Sequence, residues 1–133
     1  MNDKSTVSKA FNNHFFEFIQ DVINIFPENE DLKITKTSLE FIRKANPTCI
    51  VKAWEYFVHE KYKGVIDKGD ITFFFEKDYN NDLTYMSNAG EIMKSIDKIR
   101  EPVRNMSDES KSHTMKYIQN LSKLSGVYKA LSQ

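Results

Sequence analysis

The chain has one cysteine, Cys49, among 133 residues. No intrachain disulfide can form, so the fold is expected to rest on packing alone. Glycine and proline are scarce, at four and three, which leaves long stretches without helix breakers or the turn chemistry that hairpins need. Long hydrophobic runs are missing as well. ITFFF at residues 71–75 is among the longest, far short of the ~18 residues of a membrane span. The polar start MNDKSTVSK lacks an apolar run of the secretory kind, so the expected location is intracellular, cytoplasmic or inside a particle, and the sequons at Asn105 and Asn120 read as chance matches. Nineteen Lys/Arg balance nineteen Asp/Glu, so no global field draws the protein to nucleic acid or an anionic membrane. No Gly-rich phosphate loop occurs, which argues against P-loop nucleotide chemistry.

What is present describes one folded domain over residues 1–133. A chain of this length buries roughly two thirds of its unfolded surface. Hydrophobic residues at 40% and aromatics at 13%, with ten phenylalanines, suffice for a core rich in aromatic packing.

Apolar residues recur at helical spacing nearly throughout, which predicts an all-α bundle of five to six helices with a long last helix. The first helix is expected from about Thr6 to Phe26, with Phe11, Phe15, Phe18, Val22 and Phe26 on a stripe widened by Phe16, Ile19 and Ile23. So wide an apolar face marks a central helix. Asn29 or Asp31 caps a second helix carrying Leu32, Thr35, Leu39 and Ile42. Asn46-Pro47 ends it and opens a third, which Gly64 or Gly69 closes. Asp70 caps a short aromatic helix at 71–77, where a strand is the competing reading. Asn88 and Glu91 have capping-box spacing before a helix that carries Pro102 inside its apolar phase, as a kink or a break into two segments. Ser107 starts the last helix, whose inward face is Thr114, Met115, Ile118, Leu121, Ser125 and Tyr128.

Chemistry-bearing residues are dispersed along this frame. His59-Glu60 begins like the zinc motif HExxH, but Lys63 stands where the second histidine belongs, and a charged ammonium cannot ligate a cation. On a helical wheel His59 falls with Lys52, Glu55 and Lys63 on the solvent side, so Glu55 and His59 are expected to be a surface pair. Cys49 lies in the first turn of its helix, where a dipole favours a thiolate. His59 is about 15 Å further along the axis, so a dyad needs His14 or His113 from elsewhere, and a small packing residue is the plainer reading. Residues 78–82, DYNND, begin like a calcium loop, but Leu83 and Ala89 stand where glycine and the bidentate glutamate belong. Glu28, Glu30 and Asp31 gather at a helix start, where capping explains them. No metal and no cofactor is expected.

Two surfaces stand out as binding candidates. Three consecutive helical positions sweep about 200° of azimuth, so Phe73, Phe74 and Phe75, followed by Tyr79, cannot all turn to one core; they are candidates for a protein contact that leaves one ring for a partner, set against full burial beneath a neighbouring helix, which the bulk of the rings favours. On the last helix His113, Lys116, Asn120 and Lys123 share an outward face, with Lys129 nearer the end. Residues 87–133 carry eight Lys/Arg against five Asp/Glu. These are candidates for nucleic-acid contact, set against an ordinary solvated face.

The segments FNNHFFEFIQDVINIFP, IRKANP and KYIQNLSKLS make the chain resemble uncharacterised small helical proteins predicted in large nucleocytoplasmic DNA viruses and related marine sequences. The resemblance implies a setting, a virion component or a protein of the infected cytoplasm, and transfers no active site. The expected function is that of a noncatalytic structural or interaction protein, such as a minor virion component or adaptor. It would act through a protein partner or self-association without a membrane. The alternatives are a nucleic-acid-associated protein using the basic face of the last helix and an enzyme with a nonstandard carboxylate or cysteine site.

Overall fold

The computed structural model describes the backbone of residues 3–75 and 87–132, and the side chains of residues 3–74 and 90–132. The regular structure among these residues is helical throughout, with no strand. Helices α1 (Lys4–Ile25) and α2 (Glu30–Ala45) come first, followed by a continuous rod made of α3 (Cys49–Trp54), a π-turn (Glu55–His59) and α4 (Glu60–Asp67). A short α5 (Thr72–Phe75), α6 (Ser87–Arg104) and the long α7 (Asp108–Ser132) complete the bundle.

Capping chemistry sets the boundaries. Asp3 accepts from the Thr6 N–H at 2.8 Å, so α1 begins at Lys4, before the Thr6 start read from the apolar pattern. Asn29 accepts from the Leu32 N–H at 3.2 Å and thereby decides between the two candidate caps of α2. Asn46 does not cap α3. Its side chain accepts from the N–H and hydroxyl of Thr48, an Asx turn that delays the helix to Cys49. Gly64 lies inside α4, and it is Gly69, at φ +77°, that follows its end. The Gly69 N–H bonds the Ile66 carbonyl and the Asp70 N–H bonds that of Val65, the paired closure of a Schellman motif. The α6 helix runs through Pro102 to Arg104 without a second segment, and the Ser107 hydroxyl accepts from the Ser110 N–H to start α7.

The first helix is central, as its wide stripe predicts, with Phe11, Phe15, Ile19 and Val22 fully buried. It packs along α7 and also meets α2, α3 and α6. Trp54, fully buried, presents edges to Phe11 and Phe15 at ring separations of 6.1 and 6.2 Å. Its indole N–H donates to the Ser122 hydroxyl at 3.1 Å, so the one polar atom of the largest core ring is satisfied across the bundle. Ser8 and Asn12 donate to the Pro47 carbonyl and tie the α2–α3 connection onto α1. Every residue expected on the inner face of α7 is buried, and Ser122, which the apolar pattern did not include, joins them.

Candidate functional site

The described rings of the aromatic segment belong to the core. Phe73 and Phe74 are 9% and 1% exposed, which corrects their reading as partner anchors. The wheel argument assumed one core on one side, whereas the segment lies between two aromatic neighbours. Phe73 meets Tyr62 at 5.0 Å and Phe74 meets Phe18 at 6.3 Å. Arg100, itself buried, donates to the Phe74 carbonyl at 2.7 Å, lies over its ring and pairs with Asp97 at 2.8 Å. It thereby clamps α5 to α6. The side chain of Phe75, Tyr79 and the DYNND segment lie outside the described residues.

The basic candidates divide. His113, Lys116, Asn120 and Lys123 are exposed on α7 as expected. Lys129 is not part of that face. Its ammonium reaches Glu60 at 2.8 Å and Glu55 at 3.5 Å, so it is paired within the fold. The hydrogen bond to Glu60 raises the Lys129 pKa, and the same bond holds the Glu60 carboxyl below its ordinary 4.5.

Glu55 and His59 are likewise not a solvated pair. The turn from Glu55 to His59 is a π-turn, in which the Glu60 N–H bonds the Glu55 carbonyl five residues back. The wider turn swings both side chains toward α7. Glu55 is 9% exposed, and the imidazole of His59 rests against Gly126, with Nδ1 buried and unpartnered among the described residues. A regular wheel cannot foresee this, because it assumes 3.6 residues in every turn.

Two histidines read as scattered converge on one phenol. The rings of His14 and His113 lie 4.8 and 5.3 Å from that of Tyr117, and His14 Nδ1 is 3.8 Å from Glu17. Burial raises the Tyr117 pKa, and the charges of Asp21 and Glu17 raise it further. The phenol therefore holds its proton more tightly than a free tyrosine, the opposite of what a phenolate nucleophile or base requires. Among the described residues no three His, Cys, Asp or Glu side chains gather to hold a metal ion. Cys49, half-buried at the start of α3, packs against the core. Glu28, Glu30 and Asp31 are exposed around the start of α2, in keeping with capping.

The surface that sequence reasoning missed is the outer face of α2. Phe41 is 70% exposed, the most exposed of the large hydrophobic side chains described, and Ile34 on the same helix is 58% exposed. Beside Phe41 a groove of about 580 Å³ runs between α1 and α2. Lys9, Arg43 and Lys44 line it together with the single carboxylate of Glu40, giving an apolar anchor with a net basic rim. Asn12 forms part of the lining. It is 5% exposed, and its Oδ1 has no partner among the described residues. The signal was present: Ile34 and Phe41 stand seven residues apart, off the buried stripe of Leu32, Thr35 and Leu39.

Comparison with models of known protein families, with curated proteins and with solved structures gave no match. No helix among the described residues is long and apolar enough to cross a membrane.

Proposed function

We propose that this chain is a noncatalytic protein that works by contact, as an adaptor or minor structural component, and that its contact surface is the outer face of α2 with the adjoining groove. The observation that carries the reading is Phe41, 70% exposed at the mouth of a basic groove. An exposed phenylalanine gains on the order of 2 kcal/mol when a partner covers it, and aromatic anchors of this kind dominate contact energetics. The fitting partner is a protein segment with apolar side chains for Phe41 and Ile34 and carboxylates for Lys9 and Lys44.

Affinity purification from the native source, with the wild-type chain and Phe41→Glu as parallel baits, tests this. Retention of a partner by wild type and by Lys116→Glu/Lys123→Glu, lost with Phe41→Glu, is the expected result. Retention that survives Phe41→Glu but is abolished by nuclease or by the α7 substitutions would transfer the function to nucleic acid.

A further inference from the structure

The exposed face of α2 is complementary to itself. Ile34 and Phe41 are two helical turns apart, about 10 Å along the axis and within roughly 20° of the same azimuth. Between them on this face stand only the small side chains of Thr37 and Ser38, both exposed. At one end of the face is Glu30 and at the other Lys44, both exposed. Rotation about an axis through the midpoint of Thr37 and Ser38 therefore exchanges Ile34 with Phe41 and brings Glu30 to within one residue, about 1.5 Å along the axis, of the position of Lys44.

We propose that the partner of this face is a second copy of the chain, paired antiparallel through α2 across a two-fold axis. The inference rests on the contact reading above and names its occupant. In the pairing, Ile34 of each copy packs on Phe41 of the other, and Glu30 of each faces the other's Lys44. Thr37 and Ser38 lie on the axis, where their small size lets the helices approach to the usual 8–10 Å. Such an interface is isologous: whatever residue i gives to j, j gives back to i. A parallel arrangement loses this match, because it sets Glu30 beside Glu30 and Lys44 beside Lys44. The groove extends the same match through Lys9. Its basic rim, Lys9 and Lys44, lies where the second copy's acidic α2 start, Glu28 and Glu30, arrives. Glu30 makes an intrahelical pair with Lys33 at 3.5 Å, but an exposed pair of this length is weak and yields readily to a better-placed cation. A single helix face is at the small end of specific interfaces, so the dimer is reversible and of micromolar class.

Sedimentation equilibrium of the full chain, from about 5 to about 500 µM, reads this directly. The weight-average mass is expected to climb from the 15.6 kDa of one chain toward twice that value. Phe41→Glu, with unchanged helical circular dichroism, stays at the monomer mass. Glu30→Lys and Lys44→Glu each weaken self-association at least tenfold, because each places like charges opposite one another. An equimolar mixture of the two recovers the dimer, since only the heterodimer matches the signs at both ends. In a Cys49→Ser background, Ser38→Cys cross-links to itself under oxidised glutathione, whereas Lys116→Cys does not. A monomer at every concentration overturns the second-copy assignment. So does a mixture that stays monomeric, or a Ser38→Cys chain that fails to cross-link. If the wild type is monomeric and Phe41→Glu still loses its native-source partner, the contact reading stands and the second copy falls. If Phe41→Glu changes neither behaviour, both fall.

Discussion

The imidazole of His59 lies against Gly126: a β-carbon built at position 126 would stand 3.3 Å from His59 Nε2. Glycine inside a long helix costs about 1 kcal/mol relative to alanine. In α7 that cost admits a side chain which the π-turn has swung inward. The bulge in one helix and the missing side chain in the other are two halves of one fit.

Gly126→Ala alone is therefore expected to gain little or to destabilise, because the helical gain is offset by displacement of the ring. In a His59→Ala background the same substitution is expected to stabilise by about 0.5–1 kcal/mol. A double-mutant cycle by urea denaturation checks this through the coupling between the two sites.

Ser122→Ala removes the acceptor of the Trp54 indole N–H. A buried donor left unpaired costs about 1–3 kcal/mol. The loss is read as a lowered denaturation midpoint, with the single tryptophan as its own fluorescent reporter.

Phe74→Asp buries a carboxylate beside Phe18, with the Arg100 guanidinium, already paired with Asp97, near it. It is expected to abolish cooperative unfolding or lower stability by at least about 3 kcal/mol. Were Phe74 a partner anchor, the same change would leave thermal unfolding almost unaltered.

The Glu60–Lys129 bridge has a defined pH window. The carboxyl pKa of Glu60 is depressed, so its contribution is fully present above the ordinary 4.5 and is lost as pH falls through the lower folded value. The pKa of Lys129 is raised, so its contribution is fully present below 10.5 and is lost as pH rises through the higher folded value. Lys129→Met is expected to flatten the fall of stability in acid. A residual slope remains from Asp3 and Asp70, whose carboxyls are also depressed, by bonds from Thr6 and Thr72. Denaturation midpoints of the two chains across the acid range check the difference.

Most of the architecture was legible because it is written in periodicity. The width of the Phe11–Phe15–Ile19 stripe identified α1 as central, and the Thr114–Tyr128 face of α7 was legible except for Ser122, a polar residue buried because it accepts from Trp54. What escaped depends on departures from regular geometry or on the third dimension. The π-turn reversed the environments of Glu55 and His59, which no wheel with a fixed step can show. Burial of Phe73 and Phe74 depended on Arg100, 26 residues further along the chain from Phe74, holding α5 in place. The exposure of Phe41 was legible only in its phase on α2, which sets it apart from Leu32 and Leu39.

A concentration series of amide nitrogen–proton correlation spectra on the full wild-type chain tests the working surface most directly. If α2 pairs with its copy, cross-peaks of Glu30, Ile34, Thr37, Ser38, Phe41 and Lys44 move together as concentration rises, while those of Lys116, Asn120 and Lys123 on α7 stay still. Shifts confined to α7, or a spectrum that does not change at all, would contradict it.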